Sequence, residues 1–211
     1  MEQIEFDKLQ EFRRAMTYYH CAIMEMETKF KVLDREFSLA HDRNPIADIR
    51  TRLKSPQSII EKMEKLNLPL SIESMMENLS DVAGVRVICS FPEDVYLLAD
   101  ALLRQDDVKL LARKDYIANP KPNGYRSLHL IVELPIFFSR ETVPMKVEIQ
   151  LRTIAMDSWA SLEHQLRYKK DFEFTEHMAN ELQICANLSA ELDARMDALR
   201  NLVQENSKAD D

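Results

Sequence analysis

Two acidic residues carry the chemistry that this sequence suggests most directly. Asp81 stands at the mouth of an apolar segment, Val82 to Cys89, and Glu148 lies in the alternating segment from Lys146 to Arg152. Hard divalent cations such as magnesium prefer carboxylate oxygens and keep positions open for substrate phosphates. Acids from two different strands would suit such a site, and Glu148 could also take a proton from an attacking hydroxyl group. Taken singly, Asp81 equally fits a cap, and Glu148 an ordinary solvent-facing strand.

A basic cluster precedes Asp81 at helical spacing. Ser55 is a natural N-cap residue and Pro56 suits the first helical position, so a helix is predicted to begin here. On that helix Ser58, Lys62 and Lys65 fall within about 60° of one another, which makes one face cationic. The apolar side chains take another face, towards the core: Ile59, Ile60, Met63 and Leu66.

The lead-in to this helix adds further positive charge. Arg52 and Lys54 are two positions apart in an extended segment, so their side chains point the same way. The free N–H groups of a helix N-terminus also attract phosphate. The cluster therefore suits a small polyphosphate, although a solvated basic face has the same pattern.

A third cluster combines an aromatic residue with cations. Asn123 and Gly124 mark a turn, and the strand predicted after it places Tyr125, Ser127 and His129 on one face. A ring beside Lys114 and Lys121 offers a stacking platform for a base together with cations for its phosphates. A packed tyrosine and a structural histidine are the alternative interpretation. In the fourth cluster, the strand around Glu148, the polar face is shared by Lys146, Glu148, Gln150 and Arg152.

Composition limits the class of protein. The net charge of −8 disfavours general binding to nucleic acid, double-stranded DNA included, and leaves RNA binding open. With two glycines in 211 residues, neither a Walker A loop nor a GxGxxG turn is present. Three scattered cysteines argue against a disulfide framework or structural zinc. The absence of a signal-like or membrane-spanning segment leads us to expect a soluble cytoplasmic protein that does not bind membranes.

The apolar pattern changes period along the chain. Residues 8–40 and 175–205 predict two long amphipathic helices, whereas three segments between them are typical of strands: Val82 to Phe91, Tyr125 to Leu134 and Met145 to Arg152. The middle is thus predicted to be a sheet covered by helices. Each long helix fits packing on the domain or on the other helix, or else an oligomer interface. The second helix carries a seam of Met178, Leu182, Cys185, Leu192, Met196, Leu199 and Val203, and a disordered tail is expected from Ser207.

Together the four clusters resemble the synthetase domain of the RelA/SpoT homologues, and most closely the stand-alone small alarmone synthetases. The resemblance is carried by RLKSPQSIIEK, DVAGVRVICSF, KDYIANPKPNGYRSLHLIVE and VEIQLRTIAMDSWASLEHQLRYK, in family-like order between about Asn44 and Lys170. It implies an α+β fold, a mixed, nucleotidyltransferase-like β-sheet flanked by helices, with long N- and C-terminal helices. The implied organisation is an N-terminal helix over 1–43, a catalytic domain over 44–172, and a C-terminal helix with a short tail over 173–211.

The resemblance also implies roles for individual residues. ATP would be held by Arg52, which stacks on adenine, and by Lys54, Ser58, Lys62, Lys65 and Arg86. The guanine nucleotide would be held by Lys114, Lys121, Tyr125, His129, Gln150 and Asp157, with Tyr125 stacking on guanine and Asp157 accepting from its N1–H and amino groups. Asp81 and Glu148 would hold Mg²⁺, with Glu148 as the general base. Lys65 stands where many relatives carry arginine, so a forked phosphate contact is lost there.

The implied activity is transfer of pyrophosphate from ATP to the ribose 3′-hydroxyl of GDP or GTP, which releases AMP and makes the alarmones of the stringent response. The resemblance further implies a homotetramer. Hydrolysis of alarmones is not expected, because the sequence offers His41–Asp42 as its single His-Asp pair and one helix before it. Two alternatives stay open: an enzyme of the same class that uses an adenine nucleotide or tRNA as acceptor, and an inactive nucleotide sensor or binding module.

Overall fold

The computed structural model describes residues 2–41, 44–168 and 174–209. Its elements follow one another as α1 Glu2–His41, β1 Ile46–Leu53, α2 Pro56–Lys65, α3 Ile72–Asn78, β2 Ala83–Cys89, α4 Pro92–Leu103, β3 Lys109–Asp115, β4 Leu128–Phe137, β5 Thr142–Thr153, α5 Ile154–Tyr168 and α6 Glu176–Ala209. The long helices expected at both ends are confirmed. Helix α6 continues to Ala209, so the disordered tail predicted from Ser207 is wrong for the part of it that the structure describes.

The strands form one mixed sheet in the order β1-β2-β5-β4-β3. Strands β2 and β5 are parallel, and the other neighbours are antiparallel. The predicted mixed sheet flanked by helices is therefore confirmed. Strand β4 begins at Leu128, three residues after the predicted start, so Tyr125 lies in the loop that leads into the strand.

Two strands were missed by the sequence prediction, and both lie at the edges of the sheet. In β1 only Ile46 is fully buried, and β3 has no buried residue. An edge strand that exposes both faces needs no apolar alternation, so its sequence carries no period-2 signal. β1 nevertheless matters for the site, because Arg52 lies within it.

One face of the sheet forms the core. Val147, Ile149 and Leu151 alternate along β5 and are fully buried, as the period-2 pattern predicted. Helix α1 covers this face and buries Tyr19, Met26 and Phe30 completely, among others. Each of these large side chains contributes about 1.5–3 kcal/mol on burial, so α1 is part of the same core. For α1 the interpretation as a packing helix is confirmed.

Helix α6 behaves differently from α1. Its predicted seam is mostly exposed: Leu192 is 54% and Val203 is 65% accessible. The helix packs on the rest of the chain through Ala186 and Asp193, which lie outside the predicted seam. Within the seam, Leu182 does pack on the domain, against the cluster of Trp159, Ala160 and Ala186. For the exposed seam residues packing on the domain is wrong, and an oligomer interface stays a prediction. None of the described helices combines the length and apolar composition needed to cross a lipid bilayer.

Helix α2 begins as the sequence predicted. Ser55 is its N-cap, and the Ser55 Oγ accepts from the Ser58 backbone N–H at 3.2 Å. Ile59 and Met63 are buried, but Ile60 and Leu66 are 41% and 49% accessible and were wrongly placed on the core face. Since the buried stripe is only one residue wide per turn, most of the helix circumference is free to present polar side chains.

The turn before β4 requires glycine. Gly124 has φ +87°, and a Cβ added there would lie 2.4 Å from the Cβ of Ala186 in α6. We expect Gly124→Ala to lower the free energy of unfolding by at least about 2 kcal/mol, because left-handed strain and a steric clash add. Urea denaturation would measure it. Gly84→Ala is the matched control: its φ is not positive and its added Cβ meets only the Arg52 carbonyl oxygen, at 3.6 Å. Equal losses in the two variants would contradict this explanation.

Candidate functional site

Polar side chains form a row across the face of the sheet opposite the core. The strand register aligns Arg50, Arg86, Gln150, His129 and Lys114, one residue from each strand. Paired residues of neighbouring strands point to the same face, so these side chains share one surface. Three of the predicted site residues that lie far apart in sequence, Arg86, Gln150 and His129, are thereby brought together.

A second row adjoins the first. Arg52, Gly84 and Glu148 are aligned by the same register, with glycine at the centre. A cavity of about 390 Å³ lies over both rows, and Lys54 and Asp81 also line it. Because Gly84 has no side chain, the space between an arginine and a glutamate stays open to a ligand.

Asp81 is held by two lysines. Its Oδ2 lies 2.5 Å from the Lys54 Nζ and 2.7 Å from the Lys62 Nζ. Burial by itself would raise the pKa of Asp81, but the hydrogen bonds and charges of these lysines outweigh it and the pKa lies below its ordinary value. Asp81 is therefore a carboxylate at neutral pH. Its Oδ1 is buried and has no hydrogen-bond partner among the residues that the structure describes.

Glu148 faces the same cavity. Its Oε2 accepts from the Gln150 Nε2 at 3.1 Å, and its Oε1 lies 3.6 Å from the His129 Nδ1. Burial and the charge of Asp81 both raise the pKa of Glu148. His129 and Gln150 lower it by more, so the pKa of Glu148 lies below its ordinary value. The influence of Asp81 on Glu148 places the two carboxylates within electrostatic range of each other.

These two acids suit a divalent cation. The unpartnered buried Oδ1 of Asp81 is the kind of atom that a cation would satisfy, and Glu148 supplies a second oxygen ligand at the same cavity. Within the described ranges no cluster of three or more His, Cys, Asp or Glu side chains has the arrangement of a metal site. Two carboxylates are nonetheless enough for magnesium, which keeps most of its positions for water and phosphate.

An aromatic platform borders the row at His129. The Tyr116, Tyr125 and His129 rings meet edge to face, with centroids 5.2 to 6.1 Å apart. The Lys121 Nζ lies 4.6 Å from the Tyr116 centroid and 4.8 Å from that of Tyr125. The sequence thus correctly grouped Lys121, Tyr125 and His129. It missed Tyr116, and the one signal for this residue was its place in the KDY triplet that begins at Lys114. Ser127 is buried instead, and its hydroxyl donates to the Leu151 carbonyl oxygen.

Asp157 has cationic partners that the sequence did not reveal. Its Oδ2 lies 2.8 Å from the Arg50 Nη1, and its Oδ1 lies 3.4 Å from the Arg152 Nη1 and 3.5 Å from the Arg86 Nη1. Arg50 and Arg152 were absent from the predicted site. Alternation had put Arg152 on the polar face of β5, yet the side chain is only 3% accessible, because α5 begins immediately after the strand and covers it.

The remaining predicted residues lie around this centre. Ser58 is half-buried in the first turn of α2, Lys62 reaches Asp81, and Lys65 is exposed in the last turn. Lys114 is exposed on β3 beside His129. None of these side chains lines the 390 Å³ cavity. They would therefore meet only a ligand that extends beyond the cavity.

A family model decides what kind of protein has this arrangement. Residues 51–173 match the model described as the region found in RelA / SpoT proteins. The chain belongs to the RelA/SpoT family. The matched segment runs from the last three residues of β1 through all of α5, so it includes both carboxylates and every residue of the two rows except Arg50.

Comparison with individual proteins indicates the same family. The GTP pyrophosphokinase YwaC of Bacillus subtilis is 39% identical over 89% of this chain and 90% of its own length. Two crystal structures of small alarmone synthetase 1 from Bacillus subtilis are also similar. The one bound to its product pppGpp has a TM-score of 0.83 at 33% identity, covering 92% of this chain and 99% of that chain. The one bound to AMPCPP has a TM-score of 0.78 at 31% identity, covering 93% and 99%.

Gly84 allows a direct test of the cavity. Gly84→Val adds a side chain between Arg52 and Glu148 on a strand whose backbone accepts valine. We expect this variant to fold and to bind a non-hydrolysable ATP analogue at least about 10-fold more weakly, because losing one hydrogen bond between a phosphate and a charged side chain costs about 1.5–3 kcal/mol. Isothermal titration calorimetry would measure the affinity, with Gly84→Ala as the smaller matched change. Unchanged affinity in Gly84→Val would mean that the donor nucleotide lies elsewhere.

Proposed function

We propose that this chain is a small alarmone synthetase that transfers pyrophosphate from ATP to the ribose 3′-hydroxyl of GDP or GTP and releases AMP. The observation that carries the proposal is that Asp81 and Glu148, both with lowered pKa values, face one cavity lined by cations. Two kinds of relative support the choice of nucleotides. One has the name GTP pyrophosphokinase, and structures of a small alarmone synthetase contain pppGpp or AMPCPP.

The donor side of the site is cationic. Arg52, Lys54 and Arg86 line the cavity, while Lys62 approaches it through Asp81. We assign the ATP phosphates to these side chains, with Ser58 and Lys65 farther along α2 and Arg52 stacking on adenine. Several fixed cations stabilise the negative charge on the transferred diphosphate more strongly than water does, because they need no reorganisation during the reaction.

The acceptor side is aromatic. We assign guanine to the Tyr125 ring, and the acceptor's phosphates and ribose to Lys114, Lys121, His129 and Gln150. Tyr125 is held by a hydrogen bond of 2.8 Å between its hydroxyl and the His129 Nε2, so the platform is fixed before a base arrives. If Asp157 also accepts from guanine, its oxygens must first be released from Arg50, Arg86 or Arg152.

Magnesium is the cofactor that fits the two carboxylates. Asp81 and Glu148 would hold it, and once bound it would offset the charge of the donor phosphates. Lys54 and Lys62 form ion pairs with Asp81, so they keep this carboxylate ionised when no metal ion is bound.

Glu148 is the proposed general base. As a carboxylate it accepts the proton of the 3′-hydroxyl while that oxygen bonds to the β-phosphorus of ATP. The bond between the β-phosphorus and the bridging oxygen breaks, and AMP leaves with that oxygen. Positioning and charge supply most of the acceleration, as in other phosphoryl transfers.

We further propose that the protein is cytoplasmic, that it lacks alarmone hydrolase activity and that it forms homotetramers. A hydrolase would need several metal-binding histidines, whereas His41 ends α1 and Asp42 lies outside the described residues. The exposed apolar seam of α6, which includes Leu192, Met196 and Leu199, supports self-association. Light scattering of the purified protein would test the tetramer.

Incubation with radiolabelled ATP, magnesium and GDP or GTP tests the activity. Chromatography should reveal guanosine tetra- or pentaphosphate together with AMP. Parallel reactions with ADP and with tRNA test the rival acceptors. A labelled product with either of these and none with GDP or GTP would replace the proposal by an adenine- or tRNA-directed enzyme, and no product with any acceptor would favour a nucleotide sensor.

Glu148→Gln tests the general base. The amide keeps the size of the side chain but cannot accept the proton, so we expect normal folding and a loss of kcat of at least about 100-fold. Steady-state kinetics and a thermal melt would measure the two quantities. Glu141→Gln is a matched control on the turn between β4 and β5, where Glu141 pairs with Arg14. Full activity of Glu148→Gln would remove Glu148 from this role.

A further inference from the structure

Five side chains at the acceptor side form a closed circuit of contacts. The Arg152 Nη2 donates to the Gln150 Oε1 at 2.6 Å and to the Tyr125 Oη at 3.2 Å. The Tyr125 Oη lies 2.8 Å from the His129 Nε2. Gln150 and His129 both reach Glu148, at 3.1 Å and 3.6 Å. Two arms therefore connect one arginine with the two oxygens of one glutamate.

The chemistry of the two ends fixes the direction of both arms. A guanidinium group only donates hydrogen bonds, and an ionised carboxylate only accepts them. In the shorter arm Arg152 donates to the Gln150 carbonyl oxygen, so the Gln150 amide nitrogen is the atom that faces Glu148. A flipped Gln150 amide would place its NH₂ against the guanidinium and its oxygen against the carboxylate, and both contacts would then be repulsive.

The longer arm, through Tyr125 and His129, indicates which ring nitrogen of neutral His129 carries the proton. Because the Tyr125 oxygen accepts from Arg152, its single hydrogen is free to point at the His129 Nε2, 2.8 Å away. The Nε2 atom is then the acceptor, and the ring proton of neutral His129 is carried by Nδ1. This N–H faces the Glu148 Oε1 at 3.6 Å, slightly beyond hydrogen-bond length. Both oxygens of Glu148 thus face donors.

We propose that Arg152 is a positioning residue that aims the Glu148 carboxylate through these two arms and holds His129 in the Nδ1–H tautomer. The role of the aimed carboxylate as general base rests on the proposed function, whereas the tautomer is inferred from the contacts of Arg152, Tyr125 and His129 and does not depend on that function. Arg152 contacts neither nucleotide in this proposal. It acts through Gln150, Tyr125 and His129.

The surroundings of Arg152 suit such a role. The side chain is almost completely buried, its Nη1 lies 3.4 Å from the Asp157 Oδ1, and its guanidinium lies 5.5 Å from the centre of the Tyr125 ring. Both hydrogens of Nη2 are used, one in each arm. Lysine would keep a positive charge, but its ammonium group sits on a flexible stem and does not have the planar fork that directs two bonds at fixed angles.

Nitrogen-15 NMR of the imidazole rings tests the proposal without any substrate. The chain has five histidines, and the spectrum of His129→Gln identifies the signals of His129. At about pH 8, above the ordinary histidine pKa of about 6.5, we expect wild-type His129 to show a protonated Nδ1 and a bare Nε2. Tyr125→Phe removes the hydroxyl that occupies Nε2, so His129 should change towards the Nε2–H form that water favours. A wild-type ring in the Nε2–H form would overturn the proposal.

Kinetics of a double-mutant cycle form the second readout. Tyr125→Phe keeps the ring that stacks on guanine, so we expect kcat to fall about 5-fold, as for one neutral hydrogen bond, with the acceptor KM unchanged. Arg152→Met should lower kcat at least about 10-fold, because both arms lose their common donor. The double variant should lose clearly less than the product of the two factors, since the residues act in one circuit. Tyr18→Phe, which removes a tyrosine hydroxyl bound to Glu141, is the matched control.

The outcomes separate the two proposals. Multiplicative losses, or a Tyr125→Phe variant that changes only the acceptor KM, would contradict positioning by Arg152. If Arg152→Met does not fold, the tautomer and the Tyr125→Phe kinetics still decide. A wild-type protein that has the Nδ1–H tautomer but makes no pyrophosphorylated product would refute the proposed function and leave the hydrogen-bond circuit standing.

Discussion

The site depends on keeping two carboxylates ionised in one partly buried cavity. Burial raises the pKa of both Asp81 and Glu148, and the charge of Asp81 raises the pKa of Glu148 as well. The protein meets this constraint in two ways. Asp81 is bound directly by the Lys54 and Lys62 ammonium groups, whereas Glu148 faces the Gln150 amide and the His129 imidazole. No lysine or arginine forms an ion pair with Glu148 among the described residues, which leaves its charge available to a proton or a metal ion.

The parallel pair β2 and β5 makes this arrangement possible. It lies at the centre of the sheet, where the apolar face is covered by α1 and α4. Because the packed helices hold the sheet rigid on its apolar face, the opposite face can carry two rows of polar and charged side chains in a fixed arrangement. The overall charge of −8 is compatible with this, since net charge is a sum over the whole chain, whereas the cavity is lined locally by Arg50, Arg52, Lys54 and Arg86.

The sequence predicted the parts of the molecule that depend on local rules. The cap at Ser55 and the alternation around Glu148 are local, and both agree with the structure. β1 and β3 were missed because edge strands need no apolar face. Arg152 was missed for a different reason: alternation gives the face of a strand, but whether a following helix buries that face depends on tertiary packing. The charge state of Glu148 depends on Gln150, His129 and the distant Asp81, and only the fold shows that these residues meet.

The packing around Asp157 gives it contacts that its place in the sequence does not reveal. As a lone carboxylate in the sequence it is a plausible reader of guanine, because it accepts hydrogen bonds and donates none. In the structure it is buried, and Arg50, Arg86 and Arg152 converge on it from three directions. Three guanidinium groups so close together repel one another unless a counter-charge lies between them. Before a nucleotide arrives, Asp157 supplies that charge, so the cations of the site remain gathered and Arg152 stays fixed where its two arms begin.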